Sequence, residues 1–100
     1  MIKDENFTTI QGWMRTKLKL KNNELLVYAI IYGFSQKDNQ GYNAGLSYLV
    51  DWTGSSKQGI LNNLKSLINK GFIKKEESII NNNKCIQYKT IDIKDTLNKV

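Results

Sequence analysis

The spacing of apolar residues along the chain changes from helical to alternating, and the changes mark out its elements. Residues 7–10, Phe-Thr-Thr-Ile, are rich in β-formers and predict a short N-terminal strand. Met14 and Leu18 lie four apart within residues 11–18 and fit one short helix. Residues 25–34 read LLVYAIIYGF, apolar nearly all round, which predicts a helix buried on several sides at the centre of the domain. Asn22 or Asn23 is placed to cap it, with Glu24 in the first turn where the helix dipole favours an acid. Leu46, Leu49, Val50 and Trp52 give a second, shorter helix one apolar face. Ile60, Leu64 and Leu67, joined by Ile68 and flanked by Leu61, give the same for a third.

The punctuation between these runs is equally informative. Residues 36–45 form a polar loop with turn signals at Asp38-Asn39, Gln40-Gly41 and Ala44-Gly45. A tight turn at Thr53-Gly54-Ser55 joins the second and third helices, and Ser55 or Ser56 can cap the third by accepting a backbone N–H. Lys70 suits the negative end of that helix's dipole, and Gly71 suits the left-handed position that stops it. Beyond Gly71 the period shortens. Residues 72–80 and 85–91 are β-prone runs about Asn81-Asn82-Asn83-Lys84, and asparagine tolerates the left-handed backbone of a hairpin tip. A helix-turn-helix running straight into a two-stranded hairpin predicts an α+β winged helix, with a helical core, a C-terminal wing and the short N-terminal strand. We expect a single domain over residues 1–100, with its core at 7–91 and residues 92–100 as a short helix or tail.

Composition narrows the chemistry. The chain has 100 residues, no histidine, a single cysteine and a net charge of +6. Without histidine there is no imidazole metal ligand or acid–base group. No glycine-rich phosphate loop or cluster of metal-ligating residues is present either, so we expect neither enzymatic activity nor a cofactor. Cys85 has no partner for an internal disulfide, which fits a reducing compartment, and we read it as a small buried apolar residue. No apolar run approaches the roughly 18 residues a membrane span requires. Residues 1–6 are polar, with two acids, unlike a secretory signal, and a cytoplasmic location is expected. The positive charge points to a polyanionic partner.

The placement of that charge sharpens the partner to double-stranded DNA. Residues 55–75 contain five lysines and no acid. With Ile60, Leu64 and Leu67 turned inward, Gln58, Asn62, Lys65 and Asn69 form the outward line of the helix. Gln and Asn side chains can bond adenine edges in the major groove, and lysine reaches guanine or phosphate. Gln58 and Asn62, near the start of the second helix of the motif, are the candidates for base readout. Ser55, Ser56 and Lys57 lie at the helix N-terminus, where free N–H groups can seat a phosphate. Asn82 and Lys84 at the hairpin tip are candidates for groove or backbone contact, and one of Lys74 and Lys75 should face solvent on the DNA side. Trp13 and Trp52 are read as packing residues.

Two segments carry a closer likeness: NELLVYAIIYGFSQ at 23–36 and GLSYLVDWTGSSKQGILNNLKSLINKGFIKK at 45–75. Together, over about residues 7–91, the chain resembles the winged-helix domains of replication initiators and replisome organisers of phages and plasmids of low-GC bacteria. The resemblance implies a DNA-binding winged helix with the second motif helix in the major groove. Ser56, Lys57, Gln58 and Asn62 would then match exposed positions of that helix, and Ile60, Leu64 and Leu67 its buried ones. Gly59 departs from the threonine-like residue the pattern implies. A mobile-element protein of replication initiation or organisation is thus expected, acting as a homodimer held by its N-terminal segment or C-terminal tail, with replication proteins as candidate partners. A transcriptional regulator, a plasmid partition protein on centromere repeats, and a winged helix used for protein–protein contact are the alternatives.

Overall fold

The structure, a computed structural model, describes residues 5–37 and 41–98. The chain runs α1 (Gly12–Thr16), α2 (Asn22–Lys37), α3 (Leu46–Thr53), α4 (Lys57–Asn69), β1 (Ile73–Ile80), β2 (Asn83–Thr90) and α5 (Ile93–Leu97). The turn signals at 38–40 lie outside the described residues.

α2 is the centre, as its apolar run requires. Val27, Tyr28, Ala29, Ile30 and Ile31 are all buried, and the helix packs against α1, α3, α4 and β2. Met14, Leu18, Leu20, Leu49, Ile60, Leu64, Leu67, Phe72 and Ile73 join it in one core, together with Tyr42 and Tyr88. Trp13 stacks edge-on against Tyr28 and Tyr32, and Trp52 lies against Tyr48, so both tryptophans pack as expected. α2 begins at Asn22, which takes a left-handed conformation with φ of +57°.

The ends of α4 follow from single residues. Ser56 is extended at the N-cap, and its Oγ accepts the Gly59 N–H at 3.0 Å. At the other end Gly71 has φ of +80°, the Gly71 N–H reaches the Ile68 carbonyl and the Phe72 N–H reaches that of Leu67. Those two bonds, with buried Phe72 over buried Leu67, make a Schellman stop. Lys70 ties this end of α4 to the start of α2 through Glu24 at 2.9 Å.

β1 and β2 pair antiparallel in register from Ile73 opposite Thr90 to Ile80 opposite Asn83. The connection is tighter than the four-residue tip expected from the sequence. Asn81 and Asn82 alone form it, with φ of +53° and +65°, the left-handed pair that a two-residue hairpin requires.

Three further expectations are corrected. Residues 7–10 form no strand: they run without a β-partner, with Phe7 82% and Ile10 49% exposed. β-formers make a strand only where a neighbour accepts their backbone, and the third position beside the hairpin is held by Tyr42 instead. Tyr42 bridges Tyr88 through paired backbone bonds of 2.7 and 2.9 Å. The short helix is confined to Gly12–Thr16, with Leu18 beyond its end. Cys85 is half-buried on the wing and does not enter the core.

Candidate nucleic-acid interface

The turn between α3 and α4 is built by backbone conformation and two hydroxyls. Gly54 takes φ of +69° and returns its N–H to the Val50 carbonyl at 2.8 Å. Thr53 Oγ1 donates to the Leu49 carbonyl at 2.8 Å and accepts the Ser55 N–H at 3.1 Å. Ser55 is thereby absorbed into the turn, half-buried, and Ser56 alone is the cap. A Cβ at position 59 would sit 2.3 Å from the Ser55 hydroxyl oxygen, so any larger residue there requires that hydroxyl to turn away.

α4 separates its faces as the helical period dictates. Ile60, Leu64 and Leu67 are buried, while Lys57, Gln58, Asn62, Lys65 and Asn69 are exposed. Gln58 Nε2 donates to Asn62 Oδ1 at 3.0 Å, so the two expected base readers form one hydrogen-bonded pair along the helix surface. Asn62 keeps its amide N–H donors and Gln58 its carbonyl oxygen for other partners. There is no acid in the first turn of α4, and among the described residues neither Lys57 nor Lys65 is held in an ion pair.

The wing differs electrostatically. Lys74 and Lys89 lie 3.9 and 3.4 Å from Glu76, and Lys75 and Lys84 lie 3.8 and 3.4 Å from Glu77. Two carboxylates thus serve four lysines, leaving the wing less positive than its lysine count suggests. Asn82 is exposed at the tip, and Lys84, also exposed, carries a partner. The fold brings Ser55, Ser56, Lys57, Gln58, Asn62 and Lys65 together on α4 and its leading turn; Asn82 and Lys84 belong to a separate projection.

One residue that fixes the relation between these parts carried little sequence signal. Tyr42 lies in the polar loop yet is 1% exposed. Its ring packs on Phe34 and Tyr48, and its hydroxyl donates to the Gly45 carbonyl just before α3. Its backbone holds β2, so this residue sets the wing against the helices. Gly41 beside it has φ of +78°, and a Cβ there would meet the Tyr88 carbonyl at 2.7 Å, so the loop approaches the strand closely only with glycine. An aromatic flanked by glycine in an otherwise polar loop was the available clue.

No helix among the described residues is long and apolar enough to cross a membrane. No curated protein matches the chain. Residues 18–73 match a protein-family profile described as Helix-turn-helix domain, which spans α2, α3, α4 and the first residue of the wing. Over more than half its length, then, the chain belongs to the helix-turn-helix domain family.

Proposed function

We propose that this chain is a sequence-preferring double-stranded DNA-binding protein that places α4 in the major groove. Helix-turn-helix domains are in general DNA-binding units. The observation that carries the reading here is the exposed face of α4. A hydrogen-bonded Gln58–Asn62 pair lies between Lys57 and Lys65, two cations without ion-pair partners among the described residues. A solvated helix face needs no such composition, whereas amide side chains flanked by free cations match adenine edges between phosphates. The α4 N-terminus at Ser55, Ser56 and Lys57 is proposed to take one phosphate, and Asn82 and Lys84 to follow the adjacent groove or backbone.

The resemblance to replication initiators and replisome organisers supports a role in replication of a phage or plasmid, acting in the cytoplasm as a homodimer on an inverted or repeated site. Regulation of a promoter and coating of centromere repeats use the same interface. Selection of bound sequences from a random duplex pool tests the homodimeric reading, because it reports half-site symmetry and spacing directly.

The test of DNA binding itself is its salt dependence. If Lys57, Lys65 and Lys84 each neutralise a phosphate, log K for a duplex falls with log salt at about −0.9 per contact, about −3 in all. A flat response, or no duplex binding at low salt, overturns the proposal and favours a winged helix that docks protein.

A further inference from the structure

The two edges of the wing are treated differently. The outer edge of β2 is closed at its base: Tyr42 bridges Tyr88, and the Thr90 N–H donates to Ser35 Oγ at 3.2 Å. β1 pairs only with β2 among the described residues, so its outer edge is open along residues 74–80. That open edge ends in Ile79 and Ile80, 78% and 53% exposed. An open strand edge is a template for another strand.

The order of side chains on β1 says which strand fits. Alternation puts Ile73, Lys75, Glu77 and Ile79 on one face of the sheet. Ile73 is 1% exposed and packed in its own core, but the cation-anion pair that follows it, Lys75 and Glu77, is complementary to itself when reversed. A two-fold axis normal to the sheet through Glu76 sets Lys75 opposite Glu77 of a second copy, twice. Shifting the axis by one residue destroys the match. Centred on Lys75, lysine faces lysine and Ile73 faces Glu77; centred on Glu77, glutamate faces glutamate and Lys75 faces Ile79. In the Glu76-centred register the two Glu76 side chains face one another on the opposite face of the sheet. Each is already flanked by Lys74 and Lys89 of its own chain.

We propose that β1 is the self-association surface of this protein: two copies pair antiparallel, β1 against β1, about a two-fold at Glu76, to build a four-stranded sheet. The interface is isologous and closed, so it gives dimers and no filament. It rests on the homodimer part of the functional reading and locates that dimer on the wing instead of on the chain ends. DNA contact is not required for it.

The test is sedimentation equilibrium of the full chain without DNA, over a wide concentration range. Wild type is expected to give a concentration-dependent dimer. Lys75→Glu alone, or Glu77→Lys alone, sets like charges opposite each other and should weaken the dimer by at least about tenfold. The Lys75→Glu/Glu77→Lys double variant restores opposite charges and should recover it. Circular dichroism of each variant checks that the fold is retained. Independently, in a Cys85→Ser background, Glu76→Cys should oxidise to a covalent dimer, because that residue faces its own copy; Ser78→Cys should not. Monomer at all concentrations, a dimer indifferent to the charge swaps, or equal cross-linking at 78 overturns the proposal. A monomer that still binds duplex DNA defeats the edge pairing and leaves the DNA reading standing; a dimer without DNA affinity does the reverse.

Discussion

Tyr28 and Tyr42 show how one side-chain type meets two fates in the same core. Both hydroxyls are buried, and burial pushes both well above the ordinary tyrosine value, with neighbouring Tyr32 and Tyr48 adding to the shift. The folded chain therefore keeps protons that the unfolded chain releases above about pH 10. Because folding raises these values, their contribution to stability is complete below about pH 10 and is lost as pH rises further. Thermal midpoints measured across pH 9 to 11 should fall steeply on the alkaline side, and Tyr42→Phe should flatten the fall. The two residues differ in hydrogen bonding: Tyr42 donates to Gly45, whereas the Tyr28 oxygen has no partner among the described residues. Tyr28→Phe removes an unsatisfied buried hydroxyl and should be neutral or stabilising by up to about 1 kcal/mol in a denaturant titration; a loss of that size would reveal a partner for the hydroxyl. On α4, Gln58→Ala and Asn62→Ala should each cost about 1–3 kcal/mol on a cognate duplex and relax sequence preference. Lys57→Ala should weaken all sequences alike and lower the salt slope by about one unit. Equal losses on cognate and random DNA for Gln58→Ala would place base readout elsewhere.

At the scale of elements, α4 depends on its two ends as much as on its stripe. Ser56 satisfies an N–H that the helix leaves open, and Ser55 does not. Ser56→Ala should therefore cost about 0.5–2 kcal/mol of unfolding free energy, and Ser55→Ala clearly less; equal costs would mean the cap is shared. The ends and faces of α4 were legible in the sequence because a helix is local: its period is 3.6 residues, and its caps are single residues at known offsets. The hairpin was legible for the same reason, although its turn is Asn81 and Asn82 alone and Asn83 and Lys84, read as part of the tip, belong to β2. The N-terminal strand was not. Phe7 and Ile10 have strand propensity, but a strand exists only with a partner, and no local pattern states whether a partner is free.

At the scale of the whole molecule, Tyr42 joins what the elements leave separate. It holds β2 by backbone, α2 through Phe34 and the start of α3 through Gly45. Tyr42→Ala should cost roughly 3–5 kcal/mol, the range for removing a buried aromatic, and should loosen the wing against α4. Hydrogen exchange at the β2 amides would report that loosening, and unchanged protection would show that the hairpin seats itself without the bridge. The sequence by itself determined the three helices of the core, the capped and basic α4 with its polar line, and the hairpin that follows, because each is written in neighbours along the chain. Only the tertiary structure decided that Tyr42 and not Phe7 stands beside β2 and that, among the described residues, the wing lysines are paired while Lys57 and Lys65 are not and β1 keeps an open edge. Those depend on which residues distant in sequence arrive together, and the packing of the folded chain sets that, not its local periodicity.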